Sequence, residues 1–471
     1  MTSSATTNER VRLNIGGKVF ETTVSTLCSG GSDSLLSVLS SRLSTDSNPI
    51  FIDRDPEIFS ILLSLLRSDH LPSIARRFSN QELAEEALYY GIEARLKSAL
   101  SPPSFKGIDA SVVATIKPAS DAFPSAFTAN VGEGSVWVAH GGQISGYDWN
   151  LTHTGTIRTH MENITSIRRV WSEVAAVGST SVAGLHFYDF AGGRHVASAH
   201  WLDPSDPRIY KARVHCIADS ESSVYGSFEC GHKENCILVV DKETIKVVSE
   251  IGRQNGASVK TSAASKTTYL PDPGVIVSSS VTSGAFGYSG YIRLWDPRSG
   301  ELVWETNEPG SGRSSRFGDS FADMDVDVEQ KALFKVCSKS GDLAFADLRN
   351  LKEDPWVYLK DKNPSLRNMG GSSNIVLHCY NKQVFLGRGG GLEVWSRVEE
   401  EERGGGGGVV ERMIIDEGSY RRNYVDKEVH EEKGIIKRIE GGGDRLFVSR
   451  EGVEGIEVWE SSNLSGSIPV L

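Results

Sequence analysis

The chain has 471 residues, 39% of them hydrophobic and 24% charged, with a formal net charge of −11. That length exceeds what one hydrophobic core usually serves, so two or more domains are predicted. The acidic balance argues against a nucleic-acid partner, because neutralising phosphates needs a basic surface, and no apolar run reaches the ~20 residues of a membrane span. The opening segment MTSSATTNER has no apolar stretch of the secretory kind, and the six cysteines are widely spread. Both point to a reducing compartment, the cytoplasm or the nucleus, in which the sequons at Asn150, Asn163 and Asn463 are chance matches. High glycine content, 48 residues, predicts many tight turns.

The first element is VRLNIGGKVFETT, residues 11–23. A phosphate-binding loop needs a glycine where Arg12 stands and Ser or Thr where Val19 stands, so that chemistry is excluded. Alternation on both sides of Gly16-Gly17 predicts a hairpin with a type I′ turn, in which both central residues take positive φ. Leu35, Leu36, Leu39 and Leu43 then recur at helical spacing. Ile50–Ile52 reads as a short buried strand, followed by Asp55 as N-cap and Pro56 at the first helical position. Ile58, Phe59, Leu62, Leu63, Leu65 and Leu66 make the following helix apolar around most of its circumference, hence central. Ser79 and Glu82 form a capping box, and Gly91 closes that helix. Asp53 and Asp55 are paired carboxylates, but each has a local structural role and no histidine or metal ligand accompanies them.

Together VRLNIGGKVFETTVSTL, DSLL, IFIDRDPEIFSILLSLLR and EEALYYGI resemble a BTB/POZ domain of the potassium-channel tetramerisation type, over residues 9 to 97. The resemblance implies an α/β domain, here bounded at 9–100, that self-associates and in many relatives binds cullin-3. Channel versions carry a His/Cys zinc cluster after the YYGI helix; residues 80–110 contain neither residue type, so no metal is expected. The contact motif of the family is diffuse, so the resemblance itself assigns no residues; the expected cullin contact is Asp69, His70 and Leu71 with Tyr89 and Tyr90, against which stands the reading of the same residues as loop and core packing.

SPPSFKG reads as a linker, residues 101–110. From residue 111 to 471 a phrase recurs: GQISGYDW, GLHFYDF, CILVVDK, GYIRLWDP, GDLAFADL, GLEVWSR and GIEVWES. Its marker residues Asp148, Asp189, Asp241, Asp296, Asp347, Ser396 and Glu460 are spaced by 41, 52, 55, 51, 49 and 64 residues. The long last gap contains EEEERGGGGG, a solvated insertion at 399–408. Such a period with several strands per repeat predicts an all-β propeller, seven-bladed, and the phrase resembles the third strand of WD-type repeats. SVVATI at 111–116 and GSIPVL at 466–471 compete to close the ring, and the first is preferred. The fold class is therefore multidomain, an α/β BTB domain followed by a β-propeller.

No residue set recommends catalysis or a cofactor. His215, Cys216, Cys230, His232 and Cys236 have no standard zinc spacing and read as core cysteines and turn histidines. GRGGGLEVW leads into a strand rather than a helix, which excludes a dinucleotide fingerprint. The loops expected on one propeller face hold His160, Arg253, Lys260, Arg313, Arg316, Phe317, Lys362 and Arg367. Of these, Arg313, Arg316, Phe317 and Arg367 are the expected substrate contacts, because guanidinium forks pair with carboxylate or phosphate. The resemblance thus implies a non-enzymatic, homo-oligomeric substrate adaptor of a cullin-3 RING ubiquitin ligase. The alternative is an oligomeric scaffold that binds no cullin.

Overall fold

The computed structural model describes residues 10–31, 34–40, 49–68, 71–100, 105–118, 122–149, 151–256, 258–284, 287–308, 320–338, 340–360, 374–398, 418–426 and 433–461. The chain divides into two compact units, Met1–Pro103 and Ser104–Leu471. Among the described residues no helix is long and apolar enough to cross a membrane.

In the N-terminal unit, β1 (Arg10–Ile15) and β2 (Lys18–Thr23) form the expected hairpin, and β3 (Ile50–Ile52) pairs parallel to β1. Gly16 and Gly17 have φ of 52° and 91°, as a type I′ turn requires. Gly16 also has no room for a side chain: a Cβ there would lie 2.5 Å from the Arg54 carbonyl oxygen. Among the described residues five α-helices follow or interrupt the strands: α1 (Val24–Cys28), α2 (Leu35–Ser40), α3 (Pro56–Ser68), α4 (Asn80–Tyr90) and α5 (Glu93–Leu100). Asp55 Oδ1 accepts from the Glu57 and Ile58 amides at 2.6 and 3.3 Å, so α3 starts where its cap predicts. The capping box of Ser79 and Glu82 is present, and Gly91 ends α4 in the left-handed conformation, φ 72°. All six apolar residues predicted for α3 are buried, together with Ile61. Phe59 is central, with Phe20 at 5.0 Å on one side and Tyr90 at 5.1 Å on the other. Leu43 lies outside the described residues.

The described residues of the second unit form seven four-stranded antiparallel sheets, numbered I to VII here from the N-terminal end. Their third strands are Gln143–Tyr147, Leu185–Asp189, Glu234–Asp241, Gly287–Trp295, Leu343–Asp347, Gly391–Arg397 and Ile456–Ser461. These are the seven recurring phrases, each in the expected position. Five of the marker acids have a common local cause. Asp148, Asp189, Asp241, Asp296 and Asp347 each cap the turn after the third strand, accepting a backbone N–H from Thr152, Gly192, Thr244, Arg298 and Arg349 at 2.8 to 3.1 Å. In sheet VI Ser396 instead bonds Gln383, and in sheet VII Glu460 pairs with Arg445.

Sheet VII is completed by Ala110–Ile116, which pairs antiparallel with Ile456–Ser461. The N-terminal strand thus closes the ring, while GSIPVL and the insertion at 399–408 lie outside the described residues. Each neighbouring pair of sheets encloses its own apolar cluster, and the cluster between VII and I joins Phe447 and Val458 to Phe127 and Val138. Closure is therefore bonded on one side and packed on the other. Residues 105–110, expected as linker, are instead part of this unit. Phe105 packs on Phe385 at 5.6 Å, and the Lys106 and Gly107 amides donate to Ser461 and Gln383. The reason is Phe105 itself, an aromatic whose burial outweighs the turn character of its neighbours.

Candidate interaction surfaces

On the N-terminal unit, the face of the sheet away from the core carries Val19, Asn14 and Phe51 side by side, because Asn14 is opposite Val19 in β2 and Phe51 in β3. Phe51 is 59% exposed and Val19 55%. Arg10 and Arg12 flank Glu21 on this sheet, each at 3.6 Å. Phe51 was missed as a surface residue, although Ile50-Phe51-Ile52 must alternate in a strand and one of the three faces outward.

The expected cullin contacts separate by helix face. In α4 the buried stripe is Leu83, Ala87 and Tyr90, at i, i+4 and i+7. Tyr90 is therefore a core residue and not a contact surface; burial pushes its phenol pKa well up, and its hydroxyl has no partner among the described residues. Tyr89 stands one position round the helix and is 40% exposed, with the Arg54 guanidinium 4.0 Å over its ring. Arg54 is held in turn by Glu86 at 3.3 Å. Leu88, 64% exposed, adds an apolar side chain to the same helix. Leu71 is half-buried against the core, and Asp69 and His70 lie outside the described residues.

In the propeller unit, Arg313, Arg316, Phe317, Lys362 and Arg367 lie outside the described residues. Arg253 is engaged within the fold: it bonds Asp203 and Glu234 at 2.7 and 2.6 Å and covers Trp201. Lys260 lends its carbonyl to Arg293. His160 sits among other histidines of sheet II, with its ring 4.6 Å from that of His186. His215 and Cys216 face opposite ways, the first to Glu229 at 3.5 Å and the second to Thr267 of sheet IV at 3.1 Å. Gly389 and Gly390 of GRGGGLEVW form the turn between strands Gln383–Arg388 and Gly391–Arg397.

The first strands of successive sheets carry a charged network that spans four of them. Lys266 of sheet IV donates to the Leu377 carbonyl at 2.8 Å and lies 3.3 and 3.8 Å from Asp323 and Asp325 of sheet V. Asp323 accepts from the Leu377 amide, and Asp325 from the Cys379 amide and His378 Nδ1 in sheet VI. The His378 Nε2 accepts from the Gly441 amide of sheet VII at 2.9 Å. Burial alone would raise Asp325, but Lys266, His378 and the Cys379 amide outweigh it and hold the carboxyl down to about 2. Asp323 is raised, because burial together with the neighbouring Asp325 outweighs Lys266 and the Leu377 amide. On the opposite arc Arg168 of sheet II bonds Asp219 of sheet III at 2.7 Å. These groups already answer one another, so the network pins strands together and offers no open coordination position. The sequence signal for it was Asp323, Asp325 and Asp327 at a spacing of two, three acids on one face of one strand.

Two family models match the chain: the BTB/POZ domain over residues 11–99, and the At2g24240-like C-terminal beta propeller over residues 120–408. The BTB/POZ domain-containing protein At5g41330 of Arabidopsis thaliana is 33% identical over 97% of this chain and 97% of its own. Human BTB/POZ domain-containing protein KCTD3 is 40% identical over 93 residues, 19% of this chain and 11% of its own. Among solved structures, the Dos1 propeller is similar at a TM-score of 0.47 and 13% identity, covering 74% of this chain and 80% of that one. The match of both units in one order, and of one relative end to end, means that the chain belongs to the family of BTB/POZ domain proteins with an At2g24240-like C-terminal β-propeller.

Proposed function

We propose that the protein is a non-catalytic adaptor that acts in the cytoplasm or nucleus. Its N-terminal unit recruits cullin-3 with the RING subunit, and its propeller holds a protein substrate for ubiquitin transfer. The observation that carries this reading is the pairing, in one chain, of a BTB/POZ unit with a family propeller. The exposed Tyr89–Arg54 stack and Leu88 supply a rigid aromatic and apolar patch of the kind that anchors protein interfaces. The mechanism is proximity: a substrate held near a charged ubiquitin carrier reacts at raised effective concentration, with no chemistry by this chain. Self-association through the BTB unit adds avidity by placing several propellers in one particle.

The test is co-elution of the purified full chain with the cullin-3 N-terminal domain, with light scattering to give the mass of the complex. The intact chain should co-elute, and Tyr89→Glu should elute without cullin while keeping its own oligomeric mass. A chain that stays folded and oligomeric but never co-elutes supports the scaffold reading instead.

A further inference from the structure

The first strands of sheets VII, I, II and III are Ile436–Gly442, Pro124–Ala129, Ser166–Arg169 and Arg213–Asp219. They touch one another in succession, which makes them the inner edges of the ring. The network of Lys266, Asp323, Asp325 and His378 leaves no place for a cation, yet two inner arginines keep unused donors. They are Arg168 of sheet II and Arg438 of sheet VII. Both side chains remain partly open, at 42% and 39% exposure. Both also act across the ring: Arg168 is within electrostatic reach of Glu440 in sheet VII, and Arg438 within reach of the Cys216 thiol in sheet III. The two guanidiniums therefore face the axis rather than the outer surface.

A guanidinium carries five N–H donors in a planar fork and keeps its charge throughout the pH range of a folded protein. Arg168 spends Nε on Asp219 at 2.7 Å, and neither of its Nη atoms has an acceptor among the described residues. Arg438 makes no hydrogen bond among the described residues; it lies over the Phe127 ring of sheet I, 5.3 Å from the centroid. Its ion-pair partner Glu440 is 3.6 Å from Nη2, too far for a hydrogen bond. Glu440 is drawn the other way, toward sheet I, where the Ala129 amide donates to its Oε1 at 3.3 Å. The forks of both arginines are thus presented to the axis with their donors uncommitted.

The charge balance on this arc points the same way. Asp219 is shared by Arg168 and by Lys242, 2.7 and 2.8 Å away. Arg168, Lys242 and Arg438 therefore face only Asp219 and Glu440 on these strands, an excess of positive charge. On the far arc Asp323 and Asp325 are already answered by Lys266, His378 and backbone amides. The carboxylates on the turns that follow the inner strands, Glu133, Glu173, Glu221 and Asp444, form no ion pair with either arginine among the described residues. Buried or enclosed donors find acceptors in native proteins, and paired guanidinium forks match the oxygens of carboxylate and phosphate groups. We propose that Arg168 and Arg438 form an oxyanion site on the propeller axis, which takes one phosphate or carboxylate group between the two forks.

The test is calorimetry of the full chain against inorganic phosphate and, separately, against succinate, each at the same ionic strength held with chloride. At least one ion should bind saturably, with a dissociation constant near or below about 1 mM. Binding of phosphate alone assigns a phosphate ligand, and binding of succinate alone a carboxylate; either supports the site. Arg438→Gln breaks no hydrogen bond of the described fold and should weaken the binding by about tenfold or more. Arg168→Lys keeps a charge facing Asp219 but loses the fork, and should weaken it as well. Arg298→Gln removes the same charge at an exposed turn of sheet IV and should leave the binding unchanged. No saturable binding of either ion up to about 10 mM, or equal weakening by Arg298→Gln and Arg438→Gln, overturns the proposal. Should Arg438→Gln fold poorly, phenylglyoxal labelling of Arg168 and Arg438 is followed by mass spectrometry in the intact chain. The ion that binds should slow labelling at both arginines, and unchanged rates overturn the proposal. None of these outcomes bears on cullin-3 recruitment, which is read on the N-terminal unit.

Discussion

Replacing Lys266 by Met tests whether the network across sheets IV to VII holds the propeller together. Methionine preserves the aliphatic stem, so packing is kept and only the ammonium is lost. That ammonium donates to the Leu377 carbonyl at 2.8 Å and faces Asp323 and Asp325 at 3.3 and 3.8 Å. Both carboxylates keep other donors, the Leu377 amide for one and His378 with the Cys379 amide for the other. Lys266 is only partly buried, with 31% of its side chain exposed, so the cost should fall below the range for a broken buried pair, at about 2 kcal/mol near neutral pH. All nine tryptophans lie between residues 137 and 459, so their fluorescence in a urea titration follows the propeller alone. The sign with pH is specific. In the native protein Asp325 is depressed from 3.8 to about 2, so its contribution is full above roughly pH 4 and is lost as pH falls toward 2; it amounts to about 2 kcal/mol, opposed in part by the raised Asp323. In the variant both carboxyls are raised, so lowering the pH should narrow the deficit by about 1 kcal/mol or more. A deficit below about 1 kcal/mol at neutral pH, or one that does not narrow on acidification, would refute the argument.

Other substitutions probe single links. Gly16→Ala forces a Cβ to within 2.5 Å of the Arg54 carbonyl, whereas at Gly17 nothing lies within 4 Å; both have positive φ. Gly16→Ala should therefore cost more, by about 1 kcal/mol or above, read as hydrogen-exchange protection of residues 10–23. Gly107→Ala would bring a Cβ to 2.4 Å from the Phe385 ring. It should loosen the closing strand, lowering exchange protection at Ala110–Ile116 while that of Leu185–Asp189 is unchanged. His140 is buried without a hydrogen-bond partner among the described residues, and burial lowers it from 6.5 to about 4. The folded state then binds fewer protons than the unfolded one between these values, so up to about 3 kcal/mol present above roughly pH 6.5 is lost as pH falls toward 4. His140→Leu should flatten that part of the stability–pH curve, and an unchanged slope would show that another group carries it.

Local features were legible because their causes are local. Gly16-Gly17, Asp55 with Pro56, and Ser79 with Glu82 each announce a turn or helix end through groups a few residues apart, and the structure places them so. The seven third strands were visible for the same reason, since each ends on a residue that bonds at the turn or across the adjacent strand. Tyr89 and Tyr90 were not separable by type; only the phase of α4 assigns one to solvent and one to the core. Phe105 was hidden because its partner Phe385 is 280 residues away. The inner network and the histidine cluster were hidden more deeply. Lys266, Asp325 and His378 come from three sheets, and only ring closure makes them neighbours.

The most direct test of the central claim is a calorimetric titration of the intact, folded chain with the cullin-3 N-terminal domain. The adaptor account predicts saturable heat with one cullin bound per BTB/POZ unit. No heat, from protein whose tryptophan fluorescence and oligomeric mass show it intact, would contradict that account and leave an oligomeric scaffold.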